Sequence, residues 1–148
     1  MKVYIKNQQR LLKVNQQKIA SLLRKALHLL RLHRAELSIL FVNDRRMRVL
    51  NSQYRGVDRT TDVLSFPQSA DFSIHDSRFT THEFVLGDIV INLPRAKKQA
   101  IENGLTFNEE LKRLLIHGLL HLIGFDHERN QYAETKMQKK SKEILNQI

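Results

Sequence analysis

The chain has 148 residues, with 25 Lys and Arg against 15 Asp and Glu, 5 Gly, 2 Pro, and neither Cys nor Trp. A chain of this length buries about 70% of the surface its unfolded form exposes, so a core forms without disulfides, and collagenous, disulfide-framework and disordered classes are excluded. The net charge of +10 is uneven: residues 1–34 hold nine Lys or Arg and no acid, a one-signed field that favours a polyanion such as nucleic acid or simply solvates a basic face.

Val3 and Ile5 alternate with polar residues, as a short strand does. Ile19, Leu22, Leu23, Ala26, Leu27, Leu29 and Leu30 then recur at helical spacing among Lys and Arg, which predicts a basic amphipathic helix. Leu37–Val42 reads as a strand, and Asn43-Asp44 caps a helix through Met47, Leu50 and Tyr54. Asp62–Phe66 is a short strand ended by Pro67, and the aperiodic polar segment 68–83 is expected to be a surface loop. Phe84–Asn92 is nearly continuous in apolar residues, as a central strand is, with Gly87 marking a bulge or a close backbone approach. Asn92 and Pro94 open a helix that Gly104 ends. Thr106 to Glu109 has capping-box spacing ahead of a buried helix stopped by Gly124. A last polar helix, from about Arg129 to Ile148, offers Tyr132, Met137, Ile144 and Leu145 to the core.

The longest uncharged apolar run, Leu114–Phe125, is too short to cross a bilayer, so no membrane partner is expected. The alternating start of the chain shows no secretory signal, which makes the cytoplasm the default compartment. Without Cys, a metal must be held by nitrogen or oxygen.

The stretch His117-Gly-Leu-Leu-His121-Leu-Ile-Gly124-Phe-Asp-His127 carries the chemistry. His117 and His121 stand one helical turn apart and point the same way. Gly124 allows a sharp turn that brings His127 back to the same point. Three imidazoles and a solvent position describe an open catalytic zinc site, although nickel, cobalt or copper also suit three imidazoles. His28, His33, His75 and His82 read as surface residues. The histidine spacing is shared with metzincin proteases, but Gly118 stands where those enzymes place a glutamate base. Gly118 serves either substrate approach to the metal or close helix packing.

Together with Asn51–Pro67, which contains Arg59-Thr-Thr-Asp-Val-Leu-Ser-Phe, and with Leu86–Ile91, this block resembles the YbeY family of bacterial rRNA maturation factors, which are metal-dependent endoribonucleases. The resemblance runs from about Phe41 to His127; the first and last helices match only in character. It implies one α+β domain over 1–148, a small mixed sheet of about four strands with about five helices, and a three-histidine metal site on a central buried helix. It also implies one zinc on His117, His121 and His127, and action on single-stranded rRNA in 16S 3′-end maturation and ribosome quality control. The small ribosomal subunit is the implied partner, and no preference for DNA is expected. Relatives commonly carry a serine at the position of Asn92.

The family's arginine falls on Arg59, carried over as a catalytic or phosphate-binding residue; read from its neighbours alone, it pairs with Asp58 or Asp62. Asp126 either orients a histidine and moves protons or shapes the turn. Arg55 is the nearer candidate for RNA contact, and Lys18, Arg24, Lys25, Arg31 and Arg34 of the first helix would bind RNA backbone in a salt-dependent way. The alternatives to the nuclease are a ribosome-associated RNA-binding protein with a structural zinc, and a zinc peptidase.

Overall fold

A computed structural model describes residues 1–148. Its elements run β1 (Lys2–Asn7), α1 (Gln16–Leu29), β2 (Ala35–Val42), α2 (Asp44–Arg55), β3 (Val63–Pro67), α3 (Ser77–Thr80), β4 (Phe84–Asn92), α4 (Leu93–Glu102), α5 (Phe107–Leu122) and α6 (Gln131–Leu145). The four strands form one mixed sheet in the order β1-β2-β4-β3. β1, β2 and β4 are parallel, and β3 closes the edge antiparallel to β4. This is the expected α+β domain. No helix is long and apolar enough to cross a membrane.

The sheet is covered on both faces. Leu37, Ile39 and Phe41 alternate inward along β2 and join Ile89 and Ile91 of β4 in the larger core, which also takes Leu23 and Leu27 of α1, Leu115 and Leu119 of α5, and Met137 and Ile144 of α6. On the other face, Met47 and Leu50 of α2 pack on Val42, Leu64 and Val90. Thr106 and Glu109 form the reciprocal capping box that starts α5, and asparagines at 15, 43, 92 and 130 accept backbone N–H bonds as caps of α1, α2, α4 and α6.

Three expectations are corrected. There are six helices, because Asp76 caps a single helical turn, α3, inside the segment read as loop. Tyr132 is 77% exposed, since it lies at the start of α6, ahead of the turns that carry Met137 and Ile144 into the core. The first helix ends at Leu30 with Arg31 at φ 60, a left-handed position taken by a residue other than glycine. Gly87 satisfies both of its readings: the β2–β4 register shifts beside it, and a Cβ there would lie 2.4 Å from the carbonyl oxygen of Phe66.

Candidate metal centre

The centre is built on the C-terminal half of α5, which crosses β3 and β4. Gly118 makes the close crossing possible. A Cβ at this position would lie 2.8 Å from Cγ2 of Ile89 and 3.2 Å from Oγ of Ser65, and the Ser65 hydroxyl donates to the Gly118 carbonyl at 3.0 Å. Close packing is therefore what the glycine serves. A glutamate base at 118 would be driven into the sheet, which removes the geometric ground for a peptidase.

With Gly118 against the sheet, His117 and His121, about 100° and 60° round the helix from it, line a cleft beside β3. Gly124, at φ +103 with open space where a Cβ would be, is required for its backbone conformation alone. The N–H groups of Gly124 and Phe125 close on the carbonyls of His121 and Leu120 at 3.1 and 3.0 Å. The chain then returns His127 to the two helical rings.

Nε2 of His121 lies 3.2 Å from Nε2 of His117 and 3.0 Å from Nδ1 of His127. A tetrahedral zinc with Zn–N of about 2.0–2.1 Å separates its ligand nitrogens by about 3.3–3.4 Å, so these two pairs lie close to the spacing of a shared ion, and all three ligand atoms fall within 4.8 Å of one another. No other residue offers a ligand atom to the group. Three ring nitrogens meet without a carboxylate among the donor atoms, a set that suits a borderline cation such as zinc. Burial, followed by the neighbouring His121 and His127, pushes the His117 pKa down to about 4. Burial and then His127 also lower that of His121, against a smaller opposing pull from Asp126 and Glu128. Both rings are thus kept in the neutral form that binds metal.

The cleft has a volume of about 630 Å³. One wall is Arg113, His117 and His121 of α5 with the turn residues Asp126, His127 and Glu128; the facing wall is Asp62, Val63 and Ser65, with Arg55 at the end of α2. The lining combines the guanidinium groups of Arg55 and Arg113 with the carboxylates of Asp62, Asp126 and Glu128; the two arginines offer phosphate anchoring points beside the imidazole cluster.

The sequence profile of the family described as Endoribonuclease YbeY matches residues 4–148. The chain belongs to the YbeY family. Among curated relatives, the Endoribonuclease YbeY of Persephonella marina is 44% identical over 125 residues, covering 84% of this chain and 77% of that protein. The protein of the same name from Aquifex aeolicus is 38% identical over 136 residues, covering 92% and 85%. That of Syntrophus aciditrophicus is 37% identical over 147 residues, covering 98% and 88%. A solution structure of a Thermotoga maritima protein superposes with a TM-score of 0.66 at 26% identity, covering 97% of this chain and 87% of that one.

In this YbeY chain the other sequence-derived candidates are dispersed. Asp126 lines the cleft, but its carboxylate accepts from the Glu128 N–H at 3.0 Å, so the bond it makes shapes the turn. Arg59 is exposed and forms no ion pair; Asp58 is taken by Arg48 at 3.0 Å. Arg59 stands just ahead of the lining residues Thr61 and Asp62 without itself lining the cleft. Lys18, Arg24, Lys25, Arg31 and Arg34 are exposed and free of ion pairs, and none lines the cleft. Lys18, Arg24 and Lys25 lie on α1, which packs along β1 at the sheet edge opposite β3, whereas Arg31 and Arg34, expected on the same helix, fall in the turn beyond its end. His28, His33, His75 and His82 are exposed, as expected.

Sequence reasoning missed the residues that hold the Arg59 loop. The buried Asn51 amide donates to the Arg59 carbonyl at 2.8 Å. The fully buried Asn92 amide donates to Asp44, to the Thr60 hydroxyl and to the Thr61 carbonyl at 2.9, 3.0 and 3.2 Å. Its oxygen caps α4. A polar residue inside an apolar strand was the available signal for Asn92. Arg113 was also missed, although it stands four residues before His117 and hence on the same helix face.

Proposed function

We propose that this chain is a zinc-dependent endoribonuclease, a single domain over 1–148, acting in the cytoplasm on single-stranded rRNA during 16S 3′-end maturation and ribosome quality control. The observation that carries the reading is the grouping of three imidazoles in a cleft lined by Arg55 and Arg113, in a chain whose relatives are named endoribonucleases.

His117, His121 and His127 would hold the ion, with His121 Nε2 at 3.2 and 3.0 Å from the nitrogens of the other two rings supporting that role. A divalent metal bound there would supply Lewis-acid polarisation of a phosphate oxygen and lower the pKa of water toward about 7. The protein's own groups do the rest. Arg55 sits on the cleft wall facing the histidines and offsets phosphate charge. Arg59, unpaired on a loop pinned by Asn51 and Asn92, is free to swing onto the scissile phosphate, where its planar fork bonds two oxygens. Asp126 stands at the cleft to accept or return a proton. The basic face of α1 gathers RNA backbone at a distance from the chemistry, with the small subunit as the setting for the substrate.

The test is cleavage of end-labelled single-stranded RNA beside duplex RNA, single-stranded DNA and casein, using metal-loaded protein and a His121→Ala variant purified identically. Cleavage of single-stranded RNA alone, abolished in the variant, supports the reading. RNA binding by both proteins without cleavage would make the chain a binding protein with a structural metal, and casein cleavage would make it a peptidase.

A further inference from the structure

Glu110 is fully buried on α5, one turn before Arg113. Its Oε1 accepts from both Nε and Nη2 of Arg113, at 2.9 and 2.5 Å, while its Oε2 has no hydrogen-bond partner. A carboxylate with no exposed surface and one idle oxygen is a poor device for stability: an apolar side chain of similar volume serves a core as well or better. What the arrangement achieves is orientation. With Nε and one Nη2 hydrogen committed to Glu110, the Arg113 guanidinium keeps three N–H donors, and its side chain remains 44% exposed at the wall of the metal cleft. Arg113 lies one helical turn before His117 on the same face, and Arg55 stands on the facing wall.

We propose that Arg113, aimed by Glu110, is the subsite for the RNA phosphate next to the scissile one, and that Glu110 is its positioning residue. The inference rests on the nuclease reading for its substrate. Arginine is the side chain for such a place, since part of its fork can be tethered while the remainder binds phosphate oxygens. Tethering also removes the rotamer entropy a free arginine would lose on binding. Contact with a neighbouring phosphate is made equally in ground and transition states, so it governs substrate affinity rather than turnover.

The experiment compares wild type, Arg113→Ala, Glu110→Gln and a Glu110→Leu/Arg113→Met double variant. The double variant removes the buried carboxylate together with its partner and so guards against misfolding. Affinity for a fluorescein-labelled single-stranded RNA is read by anisotropy across a salt series with metal-stripped protein, the RNA being checked as intact on a gel, and kcat and KM are read on the same RNA with metal-loaded protein. Arg113→Ala and the double variant are expected to bind about tenfold more weakly, with the slope of log K against log salt reduced by about 0.7, the value for one phosphate contact on a single strand. KM should rise with kcat nearly unchanged, and Glu110→Gln should show a smaller rise in KM. Wild-type affinity and slope in the stable double variant would overturn the subsite, leaving the nuclease reading intact. A fall in kcat at unchanged KM would overturn its placement beside the scissile phosphate. A wild type that neither binds nor cleaves single-stranded RNA would overturn both readings.

Discussion

Replacing Gly118 by alanine tests the packing role assigned to this glycine. The new Cβ would meet Ile89 Cγ2 at 2.8 Å, Ser65 Oγ at 3.2 Å and Ile89 Cδ1 at 3.3 Å. Carbon atoms rest at about 3.5–4.0 Å, so the helix or the isoleucine must yield by well over half an ångström. Ile89 is fully buried in β4, between β2 and β3, where its neighbours are themselves packed in the core. Overpacking of this kind costs about 1–3 kcal/mol. Alanine returns up to about 1 kcal/mol of helix propensity over glycine. The expected balance is a loss of about 1 kcal/mol in urea unfolding of the metal-free protein, seen as a lower midpoint at unchanged slope. Zinc affinity should also fall, because lifting α5 off β3 disturbs the backbone next to His117. A gain of about 1 kcal/mol would refute the packing argument and return Gly118 to substrate approach.

Asn92→Ala removes an amide that serves three acceptors, together with the α4 cap, and should cost about 2–3 kcal/mol in chemical unfolding; a loss under about half a kcal/mol would show that the Arg59 loop is held elsewhere. Arg31→Gly relieves the left-handed backbone at φ 60 and should stabilise the fold by about 1 kcal/mol while weakening RNA binding at low salt, measured by thermal melting and anisotropy. The pH dependence of the metal-free fold follows from His117, lowered to about 4, and from the lowered His121. Their folded values lie below the unfolded one near 6.5, so below that pH the unfolded chain binds more protons on these rings and stability drops with pH; above it they contribute no slope. Melting of apo protein between about pH 4.5 and 7.5 should show this loss, and replacing His117 by Gln should flatten it.

Local grammar made most of the fold readable. The capping box at Thr106, the asparagine caps and the two-residue alternation of β2 act within a few residues, and the structure keeps them where the pattern puts them. The three-histidine cluster was legible for the same reason, being fixed by helical spacing and one turn. What escaped depends on residues distant in sequence. Asn92 meets Thr60 and Thr61 across 32 and 31 positions, and the facing wall of the cleft exists only because β3 pairs with β4 beneath α5. Tyr132 misled because its helical spacing is real while the first turn of α6 overhangs the core. The single turn of α3 is too short for periodicity to reveal.

The central claim is that the three histidines hold one metal and that RNA cleavage depends on it. The direct measurement titrates zinc into metal-stripped protein while following both bound metal and cleavage of single-stranded RNA, beside His117→Ala and His121→Ala. The account requires cleavage to rise in step with bound zinc and to saturate at one ion per chain, with both variants losing tight binding and cleavage together. Full-rate cleavage by protein verified to be metal-free, or cleavage that survives in variants that no longer bind the ion, would contradict it.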